Sequence, residues 1–200
     1  MHRTGPPSRF HNQIYSALMD ERFAEPRARR IFITGLPGSG KSTVARLVAD
    51  GLERSVHIGG DFFRESIAGG FIPPAIPFTD EFVEQFGLCR EVINFWADRM
   101  VEEGYTAVVD DAPIPFPPHL ENQYRSLFDH DSTVKVALTP PSDVVRQRIE
   151  GRGGWFDETL LRRFDVICEH HELHDFSAWH TIDNGQITPE ETAEVILRLL

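Results

Sequence analysis

Residues 31–43 read Ile31-Phe32-Ile33-Thr34-Gly35-Leu36-Pro37-Gly38-Ser39-Gly40-Lys41-Ser42-Thr43. From Gly35 onward the spacing is G-x-x-x-x-G-K-[ST], a phosphate-binding loop. An apolar run precedes it, and a helical pattern with Val44, Ala45, Leu47, Val48 and Leu52 apolar follows it. Strand, glycine loop and helix in this order give the motif its physical meaning. Gly35, Gly38 and Gly40 allow backbone angles that turn successive N–H groups toward phosphate oxygens. The new helix adds the positive end of its dipole. Lys41 then reaches the β- and γ-phosphates, and the Ser42 hydroxyl holds Mg²⁺. The expected ligands are ATP and Mg²⁺, with Gly35, Pro37, Gly38, Ser39, Gly40, Lys41, Ser42 and Thr43 lining the nucleotide.

Working outward, the chain of 200 residues suffices for one α/β domain with a full core. Its net charge of −11 and pI near 5.2 disfavour a nucleic-acid partner and favour a small substrate. No apolar run is long enough to span a bilayer, so no membrane partner is expected. Residues 1–7 lack the apolar stretch of a secretory signal. The two cysteines, Cys89 and Cys168, are far apart and suggest neither a disulfide framework nor a zinc site. A reducing cytoplasm is the expected location.

Residues 1–29 form an extension in which Phe10, Ile14, Tyr15, Leu18 and Phe23 follow a helical spacing; residues 30–200 form the nucleotide-binding domain. Val56–Asp61 reads as a second strand, with a helix beginning at Phe62. The Gly- and Pro-rich residues 69–79 read as loop. Thr79 or Asp80 caps a long helix to Glu103, interrupted near Gly87 and stopped by Gly104. Further strands are expected at Tyr105–Asp111, Thr133–Leu138 and Trp179–Asp183. Helices are expected at about 119–128, from Pro141 to Glu150, at about 157–173, and after the Thr188–Pro189 cap. Residues 151–154 read as a break. The alternation predicts a parallel sheet with helices on both faces, and ligands at the carboxyl ends of its strands.

Gly60-Asp61-Phe62-Phe63-Arg64 ends the second strand, and Glu65-Ser66-Ile67 follows it. Here the chain resembles the P-loop kinases from about residue 30 to its end. Phage-type polynucleotide 5′-kinases have a similar Asp-x-x-Arg. Gluconate, shikimate and chloramphenicol phosphotransferase-like kinases place an Asp at this strand end. The resemblance implies a three-layer α/β fold, strand order 2-3-1-4-5, and an arginine lid at about residues 146–165. It implies that Asp61 binds the acceptor hydroxyl and takes its proton, and that Arg64 clamps substrate or transition state. Phosphoryl transfer needs an oriented nucleophile and charge neutralisation, which a carboxylate and arginines supply. Adenylate kinase-like enzymes add an arginine soon after the third strand. This chain reads Asp110-Asp111-Ala112-Pro113-Ile114-Pro115-Phe116-Pro117-Pro118 instead, which favours an uncharged hydroxyl acceptor.

Asp110 is a candidate for the Mg²⁺ side and Asp111 for the substrate side, with the choice of the functional one left open. Arg146, Arg148 and Arg152 resemble lid arginines over ATP phosphates, with Gly151, Gly153 and Gly154 as hinge; Arg148 and Arg152 are the stronger pair, and Arg162 and Arg163 are further lid candidates. Phe71, Phe78, Phe82, Phe86 and Trp96 lie where such kinases cover the acceptor, although the stronger reading is that most of them fill the core beneath the helix. His170 and His174 stand four apart without a third ligand and read as exposed helix residues. By analogy, Asn184-Gly185 lies near the adenine. The expected activity is ATP-dependent phosphorylation of a small-molecule hydroxyl of nucleoside, antibiotic or sugar type. The alternatives are a polynucleotide or nucleoside 5′-hydroxyl kinase and a regulatory ATP-binding protein or ATPase.

Overall fold

The computed structural model describes residues 29–73, 79–112, 124, 133–153, 155–172 and 174–200. The expected extension and the expected helix at 119–128 lie outside the described residues, apart from Arg29 and Tyr124. The elements run β1 (Arg30–Gly35), α1 (Lys41–Asp50), β2 (Ser55–Gly59), α2 (Gly60–Glu65), α3 (Asp80–Glu102) and β3 (Thr106–Asp110). They continue with β4 (Thr133–Leu138), α4 (Ser142–Arg152), α5 (Trp155–Arg162), α6 (Phe164–Glu172), β5 (His180–Ile182) and α7 (Pro189–Leu197).

All five strands are parallel, in the order β2-β3-β1-β4-β5. This is the expected order. β1 lies at the centre between β3 and β4 and is buried along its whole length, as a continuous apolar run in a parallel sheet requires. Its alternation splits the core. Ile31 and Ile33 pack with Val44 and Val48 of α1 and Ile196 of α7; Phe32 points to the other face, with Ile58, Ile93, Ala97 and Tyr124. A third cluster, Leu36 with Val145, Ile149, Phe164 and Ile167, closes over the end of β1.

The caps act as read. Thr79 Oγ1 accepts from Phe82 N at 3.2 Å, and Thr188 forms a capping box with Glu191. Gly104 leaves α3 at φ 81°. Other boundaries moved. α3 runs through Gly87, which is buried, because one helical glycine costs only about 1 kcal/mol and packing along the helix offsets it. For the same reason α4 continues past Glu150 to Arg152, so the break shrinks to the residues around Gly153. The helix expected at 157–173 is two helices, divided where Arg163 N bonds Leu160 O in a tightened turn. Asp61 falls in the first turn of α2 rather than in β2, and β5 starts one residue after Trp179.

Candidate active site

The loop between β1 and α1 lies at the carboxyl end of the central strand. Gly35, Gly38 and Gly40 have φ of 148°, 88° and 97°. A Cβ on Gly38 would come within 2.7 Å of Ile149 Cγ1, so a side chain there would be strained and would also push α4 away. Two other side chains brace the loop. Arg148 donates to Ser39 O at 3.3 Å and to Asn184 O at 2.9 Å, and Asn184 Nδ2 donates to Ser39 O at 2.9 Å. Both guanidinium contacts of Arg148 are therefore to carbonyls of the loop and of the turn after β5. Arg152 is exposed at the end of α4, close enough to Lys41 to repel its charge. Arg146 pairs with Asp165 across the helix boundary at 2.8 Å.

Lys41 Nζ donates to Leu36 O at 3.2 Å. Its pKa is drawn down by burial, while Asp110, Asp61 and Asp111 pull it back up. The three carboxylates singled out in the sequence thus converge electrostatically on the loop lysine. Ser42 Oγ donates to Asp110 Oδ2 at 2.6 Å, so a hydroxyl and a carboxylate stand side by side, a donor set suited to a hard divalent ion. Ser39 Oγ and Asn184 Oδ1 are buried without a hydrogen-bond partner among the described residues, two polar atoms beside the loop that a nucleotide could engage. The residues present fit Mg²⁺ and a nucleoside triphosphate. Thr43 is exposed one residue further along α1.

The other side of the cleft is built from α2 and α3. Arg64 Nη1 donates to Asp61 Oδ1 at 3.0 Å, and its guanidinium lies over the rings of Phe86 (4.7 Å) and Phe71 (5.8 Å). Asp61 is raised in pKa, chiefly by desolvation at the cleft wall and secondarily by Asp111, with Arg64 and Lys41 opposing. Its carboxylate is nevertheless 74% exposed, so solvent softens that shift. Asp110 and Asp111 have opposite surroundings. Asp110 Oδ1 lies 2.6 Å from His57 Nε2, with its other oxygen on Ser42. Asp111 is buried against α3. It accepts from Arg90 Nε at 3.2 Å, from Ala112 N at 2.7 Å and from the Tyr124 hydroxyl. Arg90, 1% exposed, is sandwiched between Phe86 and Tyr124 at 4.4 and 4.6 Å.

Sequence reading did not find His57, Arg90 or Tyr124, since none lies in a recognisable spacing. At Gly60 a Cβ would sit 2.5 Å from Asp111 Cγ, so only glycine lets α2 begin against that carboxylate. The core reading holds for only half of the described aromatics singled out in the sequence. Phe82 and Phe86 are buried, Phe71 and Trp96 are exposed, and Phe78 lies outside the described residues. His174 differs from expectation: it lies in a bend after α6 and is half-buried, its ring 4.5 Å from that of Phe176, while the side chain of His170 lies outside the described residues. His171 is half-buried against Phe176 at 5.0 Å, and burial lowers its pKa to about 4, with His174 and Lys41 adding to the drop. Among the described residues no cluster could hold a metal ion through His, Cys, Asp and Glu alone, and no helix is long and apolar enough to cross a membrane.

The chain is 38% identical over 94 residues to a UPF0200 protein of Aeropyrum pernix, covering 44% of this chain and 48% of that one, so it spans about half the length of this relative. It is 25% identical over 181 residues to the cytidylate kinase of Archaeoglobus fulgidus, covering 84% and 93%. Among solved structures, an unliganded sugar kinase of Janibacter sp. HTCC2649 superposes with TM-score 0.63 at 22% identity, covering 86% and 93%, a likeness of fold. A family model described as an AAA domain matches residues 31–167, most of the chain and all of the cleft except Asn184. The glycine loop, the 2-3-1-4-5 sheet and this match agree: the chain belongs to the AAA-domain family and has the P-loop kinase fold.

Proposed function

We propose that this protein transfers the γ-phosphate of ATP to a hydroxyl group of an uncharged small molecule of nucleoside, antibiotic or sugar type. The observation that supports this reading is the electrostatic coupling of Asp61 to Lys41 of the phosphate loop, with the Arg64 guanidinium 3.0 Å from Asp61 Oδ1. Asp61 accepts a hydrogen bond from the acceptor hydroxyl and takes its proton as the oxygen bonds to phosphorus and the bond to the ADP oxygen breaks. A raised carboxylate pKa makes Asp61 a better base. Arg64, already beside Asp61, neutralises charge on the transferred group. Lys41 gives up its bond to Leu36 O and follows the phosphate oxygens. Ser42 and Asp110 would hold Mg²⁺, which would supply charge neutralisation for the transferred phosphoryl group. His57 holds Asp110 in place. Asp111, saturated by Arg90, Tyr124 and Ala112, shapes the acceptor floor. Arg148 holds the loop by its two carbonyls, and the exposed Arg152 closes over the phosphates.

A second reading, a phosphate acceptor, follows from the likeness to a cytidylate kinase. Against it, the segment after β3 contains no arginine from Asp110 to Pro118, and the nearby Arg90 is engaged by Asp111. The test is Mg·ATP-dependent ADP release with pooled nucleosides, nucleoside antibiotics, sugars, nucleoside monophosphates and a 5′-hydroxyl oligonucleotide. Stimulation by a hydroxyl pool, falling about 10²–10⁴-fold in Asp61→Asn, supports the proposal. Stimulation by monophosphates alone establishes the second reading, and by the oligonucleotide alone a 5′-kinase. ATP hydrolysis that no pool stimulates and Asp61→Asn does not alter indicates a regulatory ATPase.

A further inference from the structure

The solvent side of α3 is apolar. Leu88, Val92, Phe95 and Trp96 are 63%, 45%, 68% and 44% exposed, at spacings of four, three and one that place them on one strip of the helix. The strip is rotated by roughly 145° from the buried face of Phe86, Arg90, Ile93 and Ala97. It covers about 12 Å of helix. Isolated exposed apolar residues are ordinary, but four contiguous large ones mark a contact surface. Along one side of the strip run Glu84, Glu91 and Asp98, seven residues apart and therefore aligned.

Three observations identify the occupant. First, the chain enters the domain at this helix: Arg30 Nη2 donates to Asp98 Oδ1 at 2.7 Å, and Phe95 is one turn before Asp98. Second, residues 1–29 carry Arg3, Arg9, Arg22, Arg27 and Arg29 against Asp20, Glu21 and Glu25. The extension is thus net basic, while the remaining chain holds all of the −11 excess and more. Third, Phe10, Ile14, Tyr15 and Leu18 would cover about 12 Å as one helical face, matching the strip. The seven residues from Phe23 to Arg30 can span up to about 23 Å, enough to lead from β1 around α3. We propose that residues 10–23 of this chain dock on the Leu88–Val92–Phe95–Trp96 strip, with arginines of the extension against the Glu84–Glu91–Asp98 row. The segment ahead of β4 is a poorer occupant, because its Tyr124 packs against Phe32 and Arg90 on the opposite, sheet-facing side of α3.

The test uses the full chain. Trypsin cleavage after Arg9 and Arg22 is timed in the wild type and in Phe95→Ser, Ile14→Asp and their combination. Val195→Ser, at an exposed apolar position on α7, serves as control. Thermal melts confirm that each variant is folded, and sedimentation gives the oligomeric state. Docking within one chain predicts cleavage at least tenfold faster in Phe95→Ser and in Ile14→Asp, no further gain in the combination, and no change in the control. Equal cleavage rates in wild type and Phe95→Ser would overturn the proposal. So would a dimer that Phe95→Ser dissociates and Ile14→Asp does not, since a second copy would then cover the strip.

Discussion

Ser39 O, on the side proposed for the nucleotide, receives Arg148 and Asn184; Asp111, on the side proposed for the acceptor, receives Arg90, Ala112 and Tyr124. The first network holds a backbone carbonyl of a short loop whose shape already follows from its glycines. The second holds a buried charge through side chains on α3 and beyond β3, 21 and 13 residues away. A backbone cradle tolerates loss of one brace, because the remaining bonds still define it. A buried carboxylate tolerates no loss of its cation, because the charge stays behind without its partner. The nucleotide side is therefore expected to break in rate, and the acceptor side in stability.

Arg90→Leu is expected to have the largest effect on stability, about 3–5 kcal/mol, read as a lower urea midpoint at unchanged slope. A loss below 1 kcal/mol would mean that Asp111 is not a buried charge, and the contrast would fail. Lys41→Ala should leave the urea midpoint near the wild type, since its one described hydrogen bond is to Leu36 O, while ADP release falls roughly 10²–10³-fold. Gly60→Ala sharpens the comparison from the backbone side. Its Cβ would meet Asp111 at 2.5 Å and should cost about 1–3 kcal/mol, whereas Gly69→Ala, with nothing within 4 Å, should cost far less.

The smallest effect concerns His171. Its folded pKa of about 4 lies below its ordinary 6.5, so between those values the unfolded chain binds the additional proton. Stability from this group is therefore present above about pH 6.5 and is lost as pH falls toward 4. His171→Gln should flatten that part of the stability–pH curve, measured by urea unfolding at intervals of pH. An unchanged slope would show that the ring is open to water.

Legibility followed the range of the interactions. Residues 31–52 could be read because strand, loop and helix follow one another with no insertion, and each apolar position repeats at its element's own period. Asp61 and Arg64 could be read as a pair because three residues separate them on one helix. Arg90 could not, since a lone arginine in a helical pattern normally faces solvent; Phe86, Asp111 and Tyr124 make it a core residue. Asp110 and Asp111 were indistinguishable in sequence because they are adjacent. Asp110 is the last residue of β3 and Asp111 the first beyond it; the alternation of side chains along an extended chain turns one toward Ser42 and the other toward Arg90.

The local order of residues determines the phosphate loop, the alternation of strand and helix, the helix caps and thereby the parallel sheet, because these depend on near neighbours and on periodicity. The division of labour between the two aspartates, the burial of Arg90, the capture of Arg148 by the loop and the apolar strip on α3 were decided only when segments distant in the chain met. A side chain's charge, exposure and partners belong to its surroundings in space, and at these positions those surroundings come from elsewhere in the sequence.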